Sequence, residues 1–484
     1  MAVDACGESA EGGDAAKGCG ADATGGLSTD QEAGRLEVRW MASGQTACLL
    51  PASAACLGAV KECVRDRAGI PVSEQRLFAA GVELGAGGCF ATADVSAPSA
   101  LLLVRSVSDP RTTNLGHLRP VSAPPRRPCG FTFVRCLARA IHGEVLLYRW
   151  SRPLPVAARG DDRVAVKKLN TASIELNRSK EVDERLVKFQ TQAADQPDPE
   201  DALTEIGVFS LLAAQSECSE YLLRMHGVFA DGPATWLVTE FADGGELYSV
   251  VASGKELAES DTKRYTSQLM QAVAFLHKSL IGHRDISLEN ILLKDDSVRL
   301  MDFGMAVQSH SPSGTALRYF RSVGKDFYRA PECFVPAGSA VPIVVQEDAV
   351  PNAVKFVQSG NLLCEVQIPA FAKVGEVVSA ELWGYTVHPA DVFACAVCLF
   401  IMLFQCPPWH RAQLSDEAFR YARNCGGDGL RALLRSWEKK VPDEDVMWLL
   451  SNALKLDPGQ RPSAAASLEE AWLRSYVSSG VSAE

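Results

Sequence analysis

Two short runs, HRDISLEN at 283–290 and MDFG at 301–304, carry the residues of this chain whose types and spacing could do chemistry. They place two carboxylates and a carboxamide within one short hairpin's distance of each other. That set suits phosphoryl transfer. Asp285 would accept the proton of an attacking hydroxyl, while Asn290 and Asp302 would hold the metal ions that neutralise charge building on a γ-phosphate. Either run alone is a weak signal. The apolar stretches around them, AVAFLH before and ILL and VRLM between, predict a helix, a loop and a short β-hairpin as the elements that must position these side chains.

With those elements in order, the pair resembles the eukaryotic protein kinase family, and the likeness extends roughly over 129–476. It implies a bilobal α+β fold that uses ATP and Mg2+ and acts on protein substrates. VAVK at 164–167 is similar to the family's third strand, so Lys167 is expected to contact the α- and β-phosphates. LTEIGVFSLL reads as an amphipathic helix in which Ile206, Phe209 and Leu212 form a buried stripe beside Glu205. The resemblance implies a Lys167–Glu205 ion pair; a solvated helix face is the alternative for the glutamate. It also implies that Arg461 pairs with Glu332 of YRAPE, and that Asp391 ties down the HRD loop. WLVTEFADGGEL at 236–247 resembles the strand leading into the nucleotide hinge, with Thr239 as gatekeeper and Glu240 to Ala242 offering backbone groups to adenine. Val145, Ala165 and Leu292 would sandwich the ring.

Three departures from the family pattern stand out. The glycine-rich loop reads Ala138, Arg139, Ala140, Ile141, His142, Gly143, Glu144, Val145, so Cβ atoms replace hydrogen at two positions where backbone approaches phosphate; weaker or slower nucleotide handling is expected. Ser287 stands where serine/threonine kinases of the family carry a lysine on the γ-phosphate. Lys325, in GKDFYRAPE, stands where they usually carry a threonine. Lysine and hydroxyl are exchanged, and the expectation is that Lys325 reaches back to supply a cation near Asp285. Two independent substitutions in a weakened enzyme are the alternative. DFYR before APE lacks the tryptophan typical of tyrosine kinases, which points to serine/threonine acceptors. Arg284 before the catalytic aspartate implies control by a phosphorylated activation segment. Ser311, Ser313, Thr315 and Ser322 are the available hydroxyls there, with Ser322 closest to the usual position.

A second module precedes the kinase-like region. LEVRW and TACLL read as strands, and LGAVKECVRDRAGI as a helix with Val60 and Val64 on one face. GIPVSEQRLFAAGVEL at 69–84 and LLLVR at 101–105 then resemble the helix exit, third strand and last strand of ubiquitin. The likeness covers 35–106 and implies a ubiquitin-like β-grasp domain. Arg105 leads into further chain, so an interaction module is expected rather than a conjugated modifier. Phe78 and Val104 fall on ubiquitin's exposed apolar patch; packing of Phe78 against the kinase or its own core is the alternative. The partners that follow are a ubiquitin receptor, the proteasome, or the kinase domain in cis.

Composition bounds the remainder. Residues 1–34 are nearly devoid of large apolar side chains and are expected to be disordered. The stretch 107–128, with RPVSAPPRRP, reads as a stiff basic linker. Insertions are expected at 169–199 and at 333–384, the second with strand-like runs VPIVV, AVKFV, LLCEVQIPAF and GEVVSAELW that predict a small sheet near the substrate-facing surface. A net charge of −11 argues against nucleic acid. The 15 cysteines, in a chain showing no secretory leader pattern, suggest reduced thiols in cytoplasm or nucleus; their spacings are read as making no CxxC pair, so no metal bound through Cys is expected. VFACAVCLFIMLF at 392–404 is read as a buried helix too short for a bilayer, so no membrane association is expected. Two function classes remain: an active kinase, or a nucleotide-binding pseudokinase scaffold that recruits partners through its first module.

Overall fold

The computed structural model describes residues 35–40, 46–51, 57–68, 72, 75–79, 82–84, 100–105, 123–140, 143–151, 162–172, 174, 201–310, 314, 316–320, 322–336, 340–350, 353–370, 372–424 and 428–480. The N-terminal segment 1–34, the start of the basic linker, most of the first insertion, Ile141, His142, Ser311, Ser313 and Thr315 lie outside these residues.

Alternating apolar and polar residues build the first sheet. β1 (Arg35–Trp40), β2 (Thr46–Pro51), β3 (Gln75–Ala79), β4 (Val82–Glu83) and β5 (Ala100–Arg105) lie in the order β2-β1-β5-β3-β4. β1 and β5 run parallel and the other neighbours antiparallel. On α1 (Leu57–Ala68) the i, i+4 spacing puts Val60 and Val64 on one face, where both are fully buried with Val38, Leu77 and Leu101. Trp383 and Val354, from a sheet far along the chain, pack into the same cluster.

A second sheet of five antiparallel strands follows. β6 (Phe131–Ala140), β7 (Gly143–Trp150), β8 (Arg163–Asn170), β9 (Met225–Asp231) and β10 (Ala234–Glu240) are ordered β6-β7-β8-β10-β9. Its outer face buries Trp150 and Trp236, with Phe131 stacked on Trp150 at 4.8 Å. The end of the expected linker is part of this layer: Arg126 bridges to Ala230, and Arg127 pairs with Asp231 at 2.9 Å while lying 4.6 Å over the Trp236 ring. Aromatic burial and one ion pair thus convert the last basic residues of that stretch from solvated linker to sheet edge. On the other face sits α2 (Ala202–Ala213), nine of whose residues are buried.

The larger, helical part is organised by α4 (Glu259–Lys278) and α5 (Val387–Phe404), preceded by the short α3 (Leu247–Ala252) and followed by α6 (Glu417–Asn424), α7 (Gly429–Ser436), α8 (Glu444–Ala453), α9 (Ala464–Leu468) and α10 (Ala471–Gly480). α5 has 18 residues, long and apolar enough by length and composition to cross a bilayer, which corrects the shorter span read from the sequence; 78% of it is buried inside the protein. Cys395 and Cys398 stand on α5 at CxxC spacing, which corrects the expectation that the cysteine spacings make no CxxC pair. Both are buried free thiols whose pKa burial pushes well above the ordinary value, so they pack as small apolar groups. Against this body lie two short sheets: β11 (Gly245–Glu246), β13 (Ile291–Lys294) and β14 (Ser297–Leu300), and the pair β12 (Ile281–Gly282) with β15 (Val307–Gln308).

The second insertion folds into a four-stranded antiparallel sheet, β16 (Ala340–Val344), β17 (Val354–Ser359), β18 (Leu362–Gln367) and β19 (Val377–Leu382), ordered β16-β19-β18-β17. β16 and β19 alternate buried with more exposed positions, and the sheet encloses its own cluster of Val341, Ile343, Val366, Val378 and Ala380.

Arg461 holds the two ends of the helical region together. Its guanidinium donates to both carboxylate oxygens of Glu332, at 2.6 and 2.8 Å, and to the carbonyls of Lys455, Leu456 and Pro389, which occupies all five donors. Both side chains of the pair are fully buried. Replacing one partner strands the other charge in a medium that cannot solvate it. Arg461→Met is therefore expected to lower stability by about 3–5 kcal/mol, read as a fall in denaturant midpoint; a change within error would show that the pair is dispensable.

A second expectation concerns acid. His388, at the start of α5, is stacked on His277 at 3.8 Å and faces His310 and Asp391. Burial, then the neighbouring His277 charge, pushes its pKa down to about 3 although Asp391 pulls upward. Its folded pKa lies below its unfolded one, so stability is intact above about pH 6.5 and is lost as pH falls toward 3, when the unfolded chain takes up a proton the folded one refuses. His388→Gln should flatten the acid limb of a stability profile by up to ~1.4 kcal/mol per pH unit below pH 6. An unchanged slope would assign that limb elsewhere.

Candidate active site

The catalytic loop leaves α4 through β12 and re-enters sheet structure at β13. His283 and Arg284 donate their backbone N–H groups to the two oxygens of Asp391 on α5, at 2.8 and 2.9 Å. Asp391 also meets His277 at 3.0 Å; burial pushes the aspartate pKa up, yet the His277 bond and the other donors hold it below the ordinary value, so it stays ionised. From this anchor the loop presents Asp285, whose Oδ2 accepts from Asn290 Nδ2 at 2.8 Å. Asn290 Nδ2 also donates to the Asp285 carbonyl at 2.7 Å, so the carbonyl oxygen of the Asn290 side chain is not used in holding the loop. Asp285 Oδ1 is buried and has no hydrogen-bond partner among the described residues.

Asp302 follows β14 with a left-handed backbone (φ 66) and accepts the Gly304 N–H at 3.3 Å. Phe303, fully buried, stands between Phe209 of α2 at 5.0 Å and His283 at 5.4 Å. Lys167 on β8 reaches Glu205 in the first turn of α2 at 2.7 Å, with both side chains largely buried. Asp201 sets the start of that helix: its carboxylate caps the N–H groups of Leu203 and Thr204, and its own N–H donates to the Gly304 carbonyl at 2.9 Å. The cap, the ion pair and the segment carrying Asp302 are thereby linked.

The positions expected to surround a nucleotide are brought to one side of the second sheet. Val145 is in register with Lys167, and Ala165 with Thr239. Leu292 lies on β13, which pairs with β11 just past the hinge. Thr239 and Ala242 are buried. The Glu240 side chain is engaged by Lys294 at 2.9 Å and Arg299 at 3.3 Å and faces away from a binding role, leaving its backbone as the part available to a ligand. Ala138 is exposed on β6, and Gly143 opens β7 opposite Ala140.

Lys325 touches the catalytic loop directly. Its Nζ lies 2.8 Å from Ser287 Oγ and 3.2 Å from Asp285 Oδ2. Tyr328 adds a further tie, accepting the Leu288 N–H at 3.4 Å.

Arg284 and Ser322 sit in surroundings the sequence does not announce. The Arg284 guanidinium lies 5.3 Å over the Tyr319 ring and beside Tyr385, whose phenol burial pushes up to about 12 while Arg284 pulls it down. Ser322 Oγ accepts the Val335 N–H at 3.2 Å. The activation segment is held by the second insertion: Tyr319 and Tyr385 exchange backbone hydrogen bonds at 2.9 Å each, Arg318 pairs with Glu365 of β18, and Phe320 packs on the insertion's core. Gly384 (φ 65) makes that approach possible, since a Cβ there would stand 2.7 Å from the Tyr319 carbonyl. Glu365 is so deeply placed that burial pushes its pKa up to about 7 against the pull of Arg318. Asp201, Tyr319, Arg318, Glu365 and Tyr385 are the site-shaping residues that sequence reasoning misses. Only Asp201, an N-cap residue three before Thr204, carried a local signal.

Residues 159–342 match the family described as protein kinase domain. The chain is 26% identical over 254 residues to Serine/threonine-protein kinase grp of Drosophila melanogaster, covering 52% of this chain and 39% of that protein. It is 42% identical over 93 residues to the Aurora kinase of Schizosaccharomyces pombe, covering 19% and 26%. It is 25% identical over 256 residues to CBL-interacting serine/threonine-protein kinase 5 of Arabidopsis thaliana, covering 52% and 44%. The chain thus spans less than half the length of these curated relatives. Residues 159–342 thus carry the match to a protein kinase domain, and the relatives that the chain resembles are serine/threonine-protein kinases.

Proposed function

We propose that the chain transfers the γ-phosphate of ATP to serine or threonine hydroxyls of protein substrates, with Asp285 as base. The observation that carries this reading is the divided state of one carboxylate. Oδ2 of Asp285 is held by Asn290 and Lys325, whereas Oδ1 is buried and unpartnered among the described residues, as an acceptor awaiting a substrate hydroxyl would be. Asn290 and Asp302 supply oxygen donors of the kind Mg2+ prefers, and among the described residues no His, Cys, Asp and Glu cluster forms a self-sufficient metal cage. Mg2+ held there would neutralise the phosphate charge. Lys167, oriented by Glu205, is the cation for the α- and β-phosphates. Ala138, Gly143 and Val145 would cover the nucleotide, Ala165 and Leu292 would flank adenine, and Thr239 with the backbone of Glu240 and Ala242 would line its edge.

We also infer that 35–106 is a ubiquitin-like β-grasp interaction module. The strand order β2-β1-β5-β3-β4, the parallel β1–β5 pair and the helix between β2 and β3 support the reading. Phe78 is half-buried under the Arg76 guanidinium at 5.3 Å. Packing of Trp383 and Val354 into the module's core favours a partner in cis over a ubiquitin receptor or the proteasome.

Mg-ATP and a generic basic protein provide the first test. Asp285→Asn should lower kcat by about 10³-fold or more; absence of Asp285-dependent transfer in the wild type would leave the pseudokinase scaffold as the surviving account. The two alanines of the phosphate loop favour that account in one respect, because they weaken the expected grip on nucleotide. Restoring Ala138→Gly and Ala140→Gly together is expected to lower the KM for ATP by about 3- to 10-fold with little change in kcat, the mark of binding shared by ground and transition states. An unchanged KM would show that the Cβ atoms do not obstruct phosphate.

A further inference from the structure

The geometry points to Lys325 as the cation that stabilises the transferring γ-phosphoryl group, delivered from the segment before Glu332 instead of from the catalytic loop, with Ser287 in the hydroxyl role that the segment would otherwise fill. The inference rests on the kinase reading above and deepens it.

Three observations carry it. HRDISLEN offers no lysine of its own, and Lys325 is the lysine that, among the described residues, lies within hydrogen-bond distance of Asp285. Its Nζ contacts Asp285 Oδ2 and Ser287 Oγ together, at 3.2 and 2.8 Å, so the ammonium stands beside the base and on the same loop that carries Asn290. Finally, the backbone is built to bring it there. Gly324 adopts φ 84, and a Cβ on it would stand 2.6 Å from the Arg284 carbonyl, so only glycine allows the two segments to approach this closely. Arg329 donates to the Val323 carbonyl at 2.9 Å and to that of Gly324, and the N–H groups of Tyr328 and Arg329 both close on the Lys325 carbonyl at 3.1 Å.

A purely structural role explains this poorly. The Lys325 side chain is 38% exposed, and an ion pair so open to water contributes little to stability. A flexible ammonium at that exposure keeps donors free for a third acceptor. In the reaction, the substrate oxygen forms a bond to the γ-phosphorus, the bond from that phosphorus to the bridging oxygen breaks, ADP leaves, and the hydroxyl proton passes to Asp285. Lys325 offsets charge on the equatorial oxygens. One consequence distinguishes this arrangement from a loop-borne lysine. The cation is in place only while the segment 323–329 is docked on the catalytic loop, so the placement of the acceptor-binding segment and the completion of the phosphate site become one event.

The test uses the full chain with Mg-ATP and a generic basic protein, comparing Lys325→Met, Lys325→Thr, Ser287→Lys and the double exchange Ser287→Lys/Lys325→Thr. Lys325→Met and Lys325→Thr should each lower kcat by about 10²- to 10³-fold while leaving the KM for ATP within about threefold, the signature of a contact made in the transition state. The double exchange should recover kcat to within about tenfold of wild type, which no variant that merely loosened the fold would do. Thermal unfolding of each variant separates misfolding from lost chemistry. An unchanged kcat in Lys325→Met, or a double exchange no better than Lys325→Thr, overturns the assignment while the kinase reading stands. A wild-type chain with no Asp285-dependent transfer overturns both.

Discussion

Two backbone N–H groups, those of His283 and Arg284, end on the carboxylate of Asp391, and the geometry of the site hangs on that pair of bonds. The loop needs such an anchor because Arg284 holds a left-handed backbone (φ 69), a conformation that costs a non-glycine residue of order 1–3 kcal/mol unless its surroundings impose it. A buried carboxylate is itself unfavourable. Here the charge is satisfied by two backbone donors and by His277, on α4, so three elements share one ion. The anchor stands near the start of α5, the most deeply buried helix of the fold, whose apolar faces leave it no freedom to drift. Asp285, Asn290 and the Ser287 hydroxyl are all placed by a loop that starts from this fixed point.

The second constraint is that the groups proposed to act on phosphate come from elements that could separate. Lys167 and Glu205 belong to the first lobe, Asp302 to the second, and Asp201 joins them by giving its side chain to the α2 terminus and its N–H to Gly304. Phe303 continues the link through apolar contact, wedged between Phe209 and His283. No single contact in this chain of contacts is strong. Their effect is cooperative, because moving α2 would break the cap, the ion pair and the aromatic stack together.

Legibility in the sequence followed the range of the interaction. The elements carrying HRDISLEN, MDFG, Lys167 and Glu205 could be read because each lies in a run whose own periodicity names it, while the roles of these residues were what the family resemblance implied. The strands of the second insertion were readable for the same reason, VPIVV, AVKFV, LLCEVQIPAF and GEVVSAELW each alternating or running apolar between Pro and Gly. The approach of Lys325 to Ser287 was visible because two departures complement one another chemically. By contrast, the Tyr319–Tyr385 bridge joins residues with no complementary local pattern, and the Arg318–Glu365 pair is one of many ways to match an arginine with a glutamate. Sequence also misjudged Arg126 and Arg127, since a basic Pro-rich run gives no hint that Trp236 and Asp231 wait on the sheet edge.

The insertion changes what must be explained about the activation segment. An arginine before Asp285 suggests a phosphate as the ordering partner, but the segment already has three attachments: a backbone bridge to Tyr385, an ion pair to Glu365 of β18, and Phe320 packed on the core of the inserted sheet. These do not depend on modification. They also set the Arg284 guanidinium over the ring of Tyr319, whose face stabilises a cation, and beside the phenol of Tyr385. The Ser322 hydroxyl oxygen is itself engaged, accepting the Val335 N–H. Order in the segment therefore draws on folding of the inserted sheet, and through Gly324 the same order delivers Lys325 to Asp285. An insertion that looks peripheral in the sequence is thus mechanically continuous with Asp285, the proposed base.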